Sequence, residues 1–235
     1  NLTSGGLVFL GLSLLVFLMV NVLTYRPEAR DLAAARQVDR VVAHGNAMVD
    51  TDDTGDAAVL NLRNRPGFFL MMWLPSISTA ALMDANPPPA DEATLNQRKQ
   101  IAAARATAVL SHLAIILGIV LIGARHFENV EAGVSAATFY LLLPYTAQMT
   151  GRVDHVVPGA LIVCAAAAYP FPLLAGVLIG LAAGVIYYPL FLLPLWCGFY
   201  WQKGLYRFLS GVVVTWSVLI GVSAYLLNDT TAFWS

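Results

Sequence analysis

The chain has 235 residues, of which 58% are hydrophobic and only 11% charged, and its mean hydropathy is +0.69. Soluble domains carry about 25% charged and about 45–50% apolar residues, so this composition specifies an integral membrane protein and excludes an ordinary soluble enzyme. The formal net charge of -1 gives no large single-sign field and no reason to expect nucleic acid as a partner, which leaves any acidic or basic role to local clusters.

A helix crossing a bilayer needs about 20 apolar residues, because the hydrocarbon core is about 30 Å thick and each residue rises about 1.5 Å. Gly5 to Leu23 meets that standard at the start of the chain. It is too long and too uncharged for a removed signal, so a span is expected there. The polar region that follows, 24–66, contains RPEARDLAAARQVDRVVAHG, where Pro27 suits a first helical turn and Gly45 a C-terminal cap. After Pro66 the apolar run GFFLMMWLPSISTAALM is short and interrupted by Pro75, which suits a re-entrant or interfacial segment at least as well as a span. A second polar stretch, 85–101, is proline-rich, and Thr94 or Asn96 is the expected start of the next helix.

Three more uninterrupted apolar runs follow, Ala102 to Ala124, Ala132 to Met149 and Phe208 to Leu227. Between the last two, Val156 to Tyr169, Pro172 to Tyr187 and Pro189 to Trp201 are shorter and separated by prolines, so short or broken helices are expected. The fold class is therefore all-α: a polytopic transmembrane helical protein with about six or seven membrane segments, forming one membrane domain over 1–235. The plasma or inner membrane is the expected location. If Phe68 to Met83 does not cross, the loop after the first span, Arg152 to His155 and the Tyr187 to Tyr188 turn share one face, while Arg125, His126, Lys203 and Arg207 share the other. Short loops rich in Lys and Arg favour the cytoplasm, which puts Lys203 and Arg207 inside and sets the arginines of 24–66 against the same rule.

The stretch QMTGRVDHVVPG places Arg152, Asp154 and His155 within four residues, between apolar runs. An ionisable group at membrane depth costs roughly 2.5–3.5 kcal/mol, so three of them require a watery interface or a functional cavity. A hydrated turn, with Gly151 closing one helix and Pro158 opening the next, accounts for them. So does an anion site, in which Arg152 and His155 hold a headgroup or phosphate and Asp154 pairs with one of them or binds hydroxyls. Asp50 and Asp52 form the D-x-D pattern of VDTDD, which in some loops holds a divalent cation and more often is only solvated. His112 and His126, 14 apart, are expected to be structural or interfacial, with a haem or pigment ligand as the rival. Cys164 and Cys197 lie in apolar runs without metal-ligand spacing and read as small hydrophobes. Gly176, Gly180 and Gly184 recur every four residues, a helix-packing face that serves either the chain itself or another membrane subunit.

The run from GRVDHVVPG through AGVLIGLAAG to YYPLFLLPLWCGFYWQKGLYRF, with RDLAAARQVDRVVAHG and NRPGFFLMMWLP before it, resembles the polyprenol-phosphate-dependent membrane glycosyltransferases of the GT-C superfamily, in particular glycosyltransferase family 87 and mannosyltransferase relatives. The resemblance covers most of the chain in order. It implies transfer of a sugar from a polyprenyl-phosphate donor at the non-cytoplasmic face. By position, Asp31 is then the catalytic base, where the residues alone also allow a first-turn carboxylate favoured by the dipole of an amphipathic helix; Arg152 and His155 hold the donor phosphate, and Asp154, Tyr187 and Tyr188 support them. Two departures stand out. Relatives commonly carry a lysine where Tyr187 and Tyr188 precede Pro189, and they continue through several more membrane segments. The alternative is a non-catalytic structural subunit of a larger membrane assembly built on the same framework. A transporter is a third reading, suggested only by the broken helices. Membrane lipids are the expected partners in each case.

Overall fold

A computed structural model describes residues 3–24, 92–148 and 150–227, and these are helical with no strand among them. The helices are α1 (Ser4–Thr24), α2 (Glu92–His126), α3 (Val130–Leu142), α4 (Pro144–Gln148), α5 (Val153–Ala167) and α6 (Pro172–Val185). A 3-10 turn (Tyr188–Leu192), α7 (Leu193–Tyr200) and α8 (Leu205–Leu227) follow. Three stretches are long and apolar enough to cross a membrane: Ser4–Thr24, Ile101–His126 and Leu205–Val222. Val130–Leu142, Val153–Ala167, Pro172–Val185 and Tyr188–Tyr200 are apolar but shorter.

Helix boundaries follow local chemistry, and several differ from the expectation. α2 is already helical at Glu92, ahead of Thr94 and Asn96, because nothing after Pro89 breaks it: Ala90, Glu92 and Ala93 are good helix formers. The run expected as one span from Ala132 to Met149 is broken at Leu143, whose backbone is extended with ψ 128° ahead of Pro144. The residue before a proline is driven out of the helical region by the ring. α3 itself starts on Asn129, whose side chain accepts from the Ala132 amide at 3.0 Å. Pro158 does not open α5. The helix starts at Val153, with the amides of His155 and Val156 both donating to the Arg152 carbonyl at 3.1 Å. Pro158 lies inside, fully buried, and deprives the Asp154 carbonyl of the amide that would otherwise bond it.

The packing is set by small residues. α2 and α3 form an antiparallel hairpin in which Gly123 and Gly133 lie backbone to backbone, and a Cβ on either would collide with the other helix. α5 runs parallel to α2, with Gly159 against Ile115 and Gly118 against Val163. α1 packs along α3, where Gly11 faces Thr138. α6 turns back antiparallel to α5. The 3-10 turn and α7 then return the chain, and α8 runs parallel to α6, with Gly176 against the Phe208 backbone, Gly180 against Thr215 and Gly211 against Leu173 and Val177. Gly204, at φ +104°, makes the turn into α8 beside Pro172, a left-handed conformation that only glycine adopts without strain.

The glycine face anticipated on α6 is therefore filled along Gly176 and Gly180 by α8 of the same chain, and Gly184 is buried as well. Around it sits an aromatic and aliphatic core of Ile179, Tyr200, Phe208, Ala165 and Ala175, on which Trp196 stacks.

Candidate functional site

The two ends of the bundle differ. At one end are the close of α1, α4, the start of α5 and the Tyr187 to Tyr188 turn. Asn21 of α1 donates to the Ala147 carbonyl at 3.3 Å and to the Thr150 hydroxyl at 3.4 Å, and Tyr188 is within electrostatic reach of Tyr145 in α4. At the other end, the His126 ring sits edge-on to Tyr169 at 5.5 Å, the Tyr200 hydroxyl donates to the Tyr169 carbonyl at 2.7 Å, and Lys203 and Arg207 flank the Gly204 turn. The grouping expected from the sequence thus holds among the described residues. α1 delivers the chain to the first end and α2 departs from it.

Asp31, seven residues beyond the end of α1, lies outside the described residues, as do Asp50, Asp52 and the Phe68 to Met83 segment. Among the described residues no three His, Cys, Asp or Glu side chains gather as a metal site would require.

Arg152, Asp154 and His155 come together at the start of α5. Arg152 is the residue before the first helical position, and Asp154 occupies the first turn, where a carboxylate is favoured by the unpaired amides and the positive end of the helix dipole. One Asp154 oxygen, Oδ2, accepts from Arg152 Nη2 at 3.2 Å and lies 3.7 Å from His155 Nε2. The other, Oδ1, is buried and accepts no hydrogen bond among the described residues. The side chains keep 25%, 23% and 36% of their exposure for Arg152, Asp154 and His155. They are reachable without being fully solvated.

His112, which touches the residue before Gly151, lies near the middle of the apolar stretch Ile101–His126, about 21 Å along α2 from His126.

The trio is neutral with neutral His155 and singly positive when that ring is protonated. Its donors include the fork of Arg152, which Asp154 Oδ2 engages through Nη2, and the Asp154 amide, a first-turn group with no acceptor inside the helix. Such donors match a phosphate or carboxylate oxygen chemically. Tyr187 and Tyr188 are both about half exposed and stand on the same end, at the turn after α6. The structure brings them to the same end as Arg152 and His155.

Beneath the cluster lies a polar network whose members are far apart in the chain. His112, 1% exposed, has Nδ1 at 2.9 Å from the Tyr140 hydroxyl and Nε2 at 3.0 Å from the Thr150 carbonyl. The Thr150 hydroxyl is held at 2.7 Å from the carbonyls of Thr146 and Ala147 while accepting from Asn21. His112 and His126 thus do not act as a pair, since one is interior and the other exposed at the far end. The faint signals were a lone Asn21 near the end of an apolar span and threonines at 146 and 150, one helical turn apart.

The chain matches no protein-family model, no curated protein and no solved structure. The fold is that of an all-helical membrane protein, and the functional reading rests on the residues themselves.

Proposed function

We propose that this protein is a membrane glycosyltransferase of the GT-C kind, with six or seven crossings, that works on a polyprenyl-phosphate sugar at the end of the bundle bearing Arg152. Arg152 and His155 hold the donor phosphate, Asp154 orients Arg152, and Asp31 acts as general base. Asp31 takes the proton of an acceptor hydroxyl as that oxygen bonds to the anomeric carbon. The bond from that carbon to the phosphate oxygen breaks, and polyprenyl phosphate leaves with the bonding electron pair. Arg152 meets the charge that develops on the leaving phosphate.

The observation that carries this reading is the shared end. The chain emerges from α1 seven residues before Asp31 at the same end of the bundle that presents Arg152 and His155. Sidedness does not decide it: Arg125, Lys203 and Arg207 at the opposite end favour the cytoplasm there, and Arg26, Arg30, Arg36 and Arg40, directly after α1, favour it at the Arg152 end. A polyprenyl tail would lie in lipid against the exposed apolar residues of the bundle, with its phosphate level with the cluster.

The test is release of polyprenyl phosphate from decaprenyl-phosphate mannose by the purified chain in lipid nanodiscs, for wild type and for Asp31→Asn. Turnover by wild type that is lost in a well-folded Asp31→Asn protein is the expected result. Full activity in that variant removes Asp31 as the base. A wild-type chain that neither binds the donor nor turns it over, and that purifies in fixed ratio with other membrane chains, replaces the enzyme by the structural-subunit reading.

A further inference from the structure

The polar groups of α2 divide into two kinds. Thr107 and Ser111 are buried, and each donates to the carbonyl four residues earlier, at 2.8 and 2.7 Å, so they are satisfied within their own helix. His112 is equally buried, yet both of its ring nitrogens reach outward, to α3 and to the turn between α4 and α5. A carbonyl has no proton to give, so Nε2 carries the hydrogen towards Thr150, and in the neutral ring Nδ1 accepts from the Tyr140 hydroxyl.

The residue so held is not a neutral choice. Thr150, 2% exposed, is two positions before Arg152. Its carbonyl is fixed from α2 by His112 and its hydroxyl from α1 by Asn21. Gly151 alone separates this anchored point from the arginine, and a glycine without an anchor in front of it would leave the turn free to wander.

We propose that His112 is a positioning residue for the phosphate site: through its Nε2 bond to the Thr150 carbonyl it fixes the turn from which Arg152 reaches the donor phosphate. This rests on the reading of Arg152 as a phosphate ligand. His112 touches no substrate, and it acts by setting where the guanidinium stands. Displacement of a binding group by about 1 Å is enough to cost up to about a hundredfold where geometry is demanding.

Two substitutions separate this role from general support of the fold. Glutamine places an amide N–H where Nε2–H stands and keeps the bond to Thr150. Asparagine is too short for that bond and reaches only towards Tyr140. The probe is decaprenyl phosphate, titrated into the detergent-purified full chain. Wild type and His112→Gln should bind within about threefold of each other, and His112→Asn about tenfold more weakly. In an Arg152→Ala background His112→Asn should cause no additional loss, because the group it positions is gone. Equal binding by the Gln and Asn variants, or a full additional loss in the Arg152→Ala background, overturns the proposal.

Amide hydrogen exchange reads the anchor without the lipid. His112→Asn should raise exchange at residues 151–157 and leave the α6 and α8 contact unchanged, and unchanged exchange at 151–157 sinks the anchor whatever the lipid does. If wild type fails to bind decaprenyl phosphate while exchange at 151–157 rises in His112→Asn, the glycosyltransferase reading falls and only the positioning of Arg152 for a phosphate falls with it.

Discussion

The α6 and α8 pair and the α1, α2, α3 and α5 group share close packing through glycines, and only the second adds hydrogen bonds between elements. α6 and α8 meet through glycines, with Gly176 and Gly211 each against the other helix's backbone. Thr215, buried in that contact, sends its hydroxyl to the Gly211 carbonyl of its own helix at 2.8 Å. That contact is dry and specified by shape, as expected where lipid is as apolar as the side chains and close approach is the available gain. The other group also packs through glycines, Gly123 against Gly133 and Gly118 against Val163, and adds hydrogen bonds from Asn21 and His112 that tie α2 to α3 and both α1 and α2 to the Thr150 turn. Shape alone tolerates sliding along a helix. Hydrogen bonds at fixed points do not, and the candidate site stands on the group that has them.

The sharpest way to break the comparison is to add volume to the dry contact. Gly176→Leu drives a side chain into the Phe208 backbone, and the loss should be about 3 kcal/mol or more, at the top of the range for overpacking. Unfolding by denaturing detergent should show it as a loss of the folded protein itself. His112→Leu acts on the other group. It leaves the Thr150 carbonyl and the Tyr140 hydroxyl without their partner, for about 2 kcal/mol, and the same unfolding curve with decaprenyl phosphate present should show a smaller rescue by lipid than in wild type. Tyr200→Phe removes the one bond from the Tyr200 hydroxyl to Tyr169 at 2.7 Å and should lower stability by about 1 kcal/mol, with lipid binding unchanged because the bond lies at the far end. Gly198→Ala is the smallest effect and has the opposite sign. Nothing lies within 4 Å of the Cβ it adds to α7, so the helix should gain about 0.5–1 kcal/mol. A glycine whose replacement stabilises, beside one whose replacement unfolds, separates packing glycines from permissive ones within 25 residues of sequence.

The difference between the regions also explains what the sequence made legible. The long spans were readable because an uninterrupted apolar run has one solution in a bilayer, and the ends of α1 and α8 fall within a few residues of expectation. Boundaries went wrong where one residue overrides the run. Pro144 broke α3 from α4 through Leu143, and Pro158, read as a start, sits inside α5 because the Arg152 carbonyl accepts two amides ahead of it. The Arg152, Asp154 and His155 cluster could be seen because its members are neighbours in sequence. The role of His112 could not. Its partners are 28 and 38 residues away, and the sequence offered His126, 14 residues on, as the more visible companion. Spacing along one helix says which residues share a face and nothing of what another helix brings to that face.

The parallel run of α6 and α8 places a demand on the chain between them. Two neighbouring helices can point the same way only if the chain between them returns to the starting side, and here the 3-10 turn and an eight-residue α7 make that return. If this short, proline-bearing stretch did not make the return, α8 would start from the other end of α6 and run antiparallel to it. Gly211 would no longer meet Gly176. The closest helix contact of the second half of the chain thus depends on two of its shortest helices.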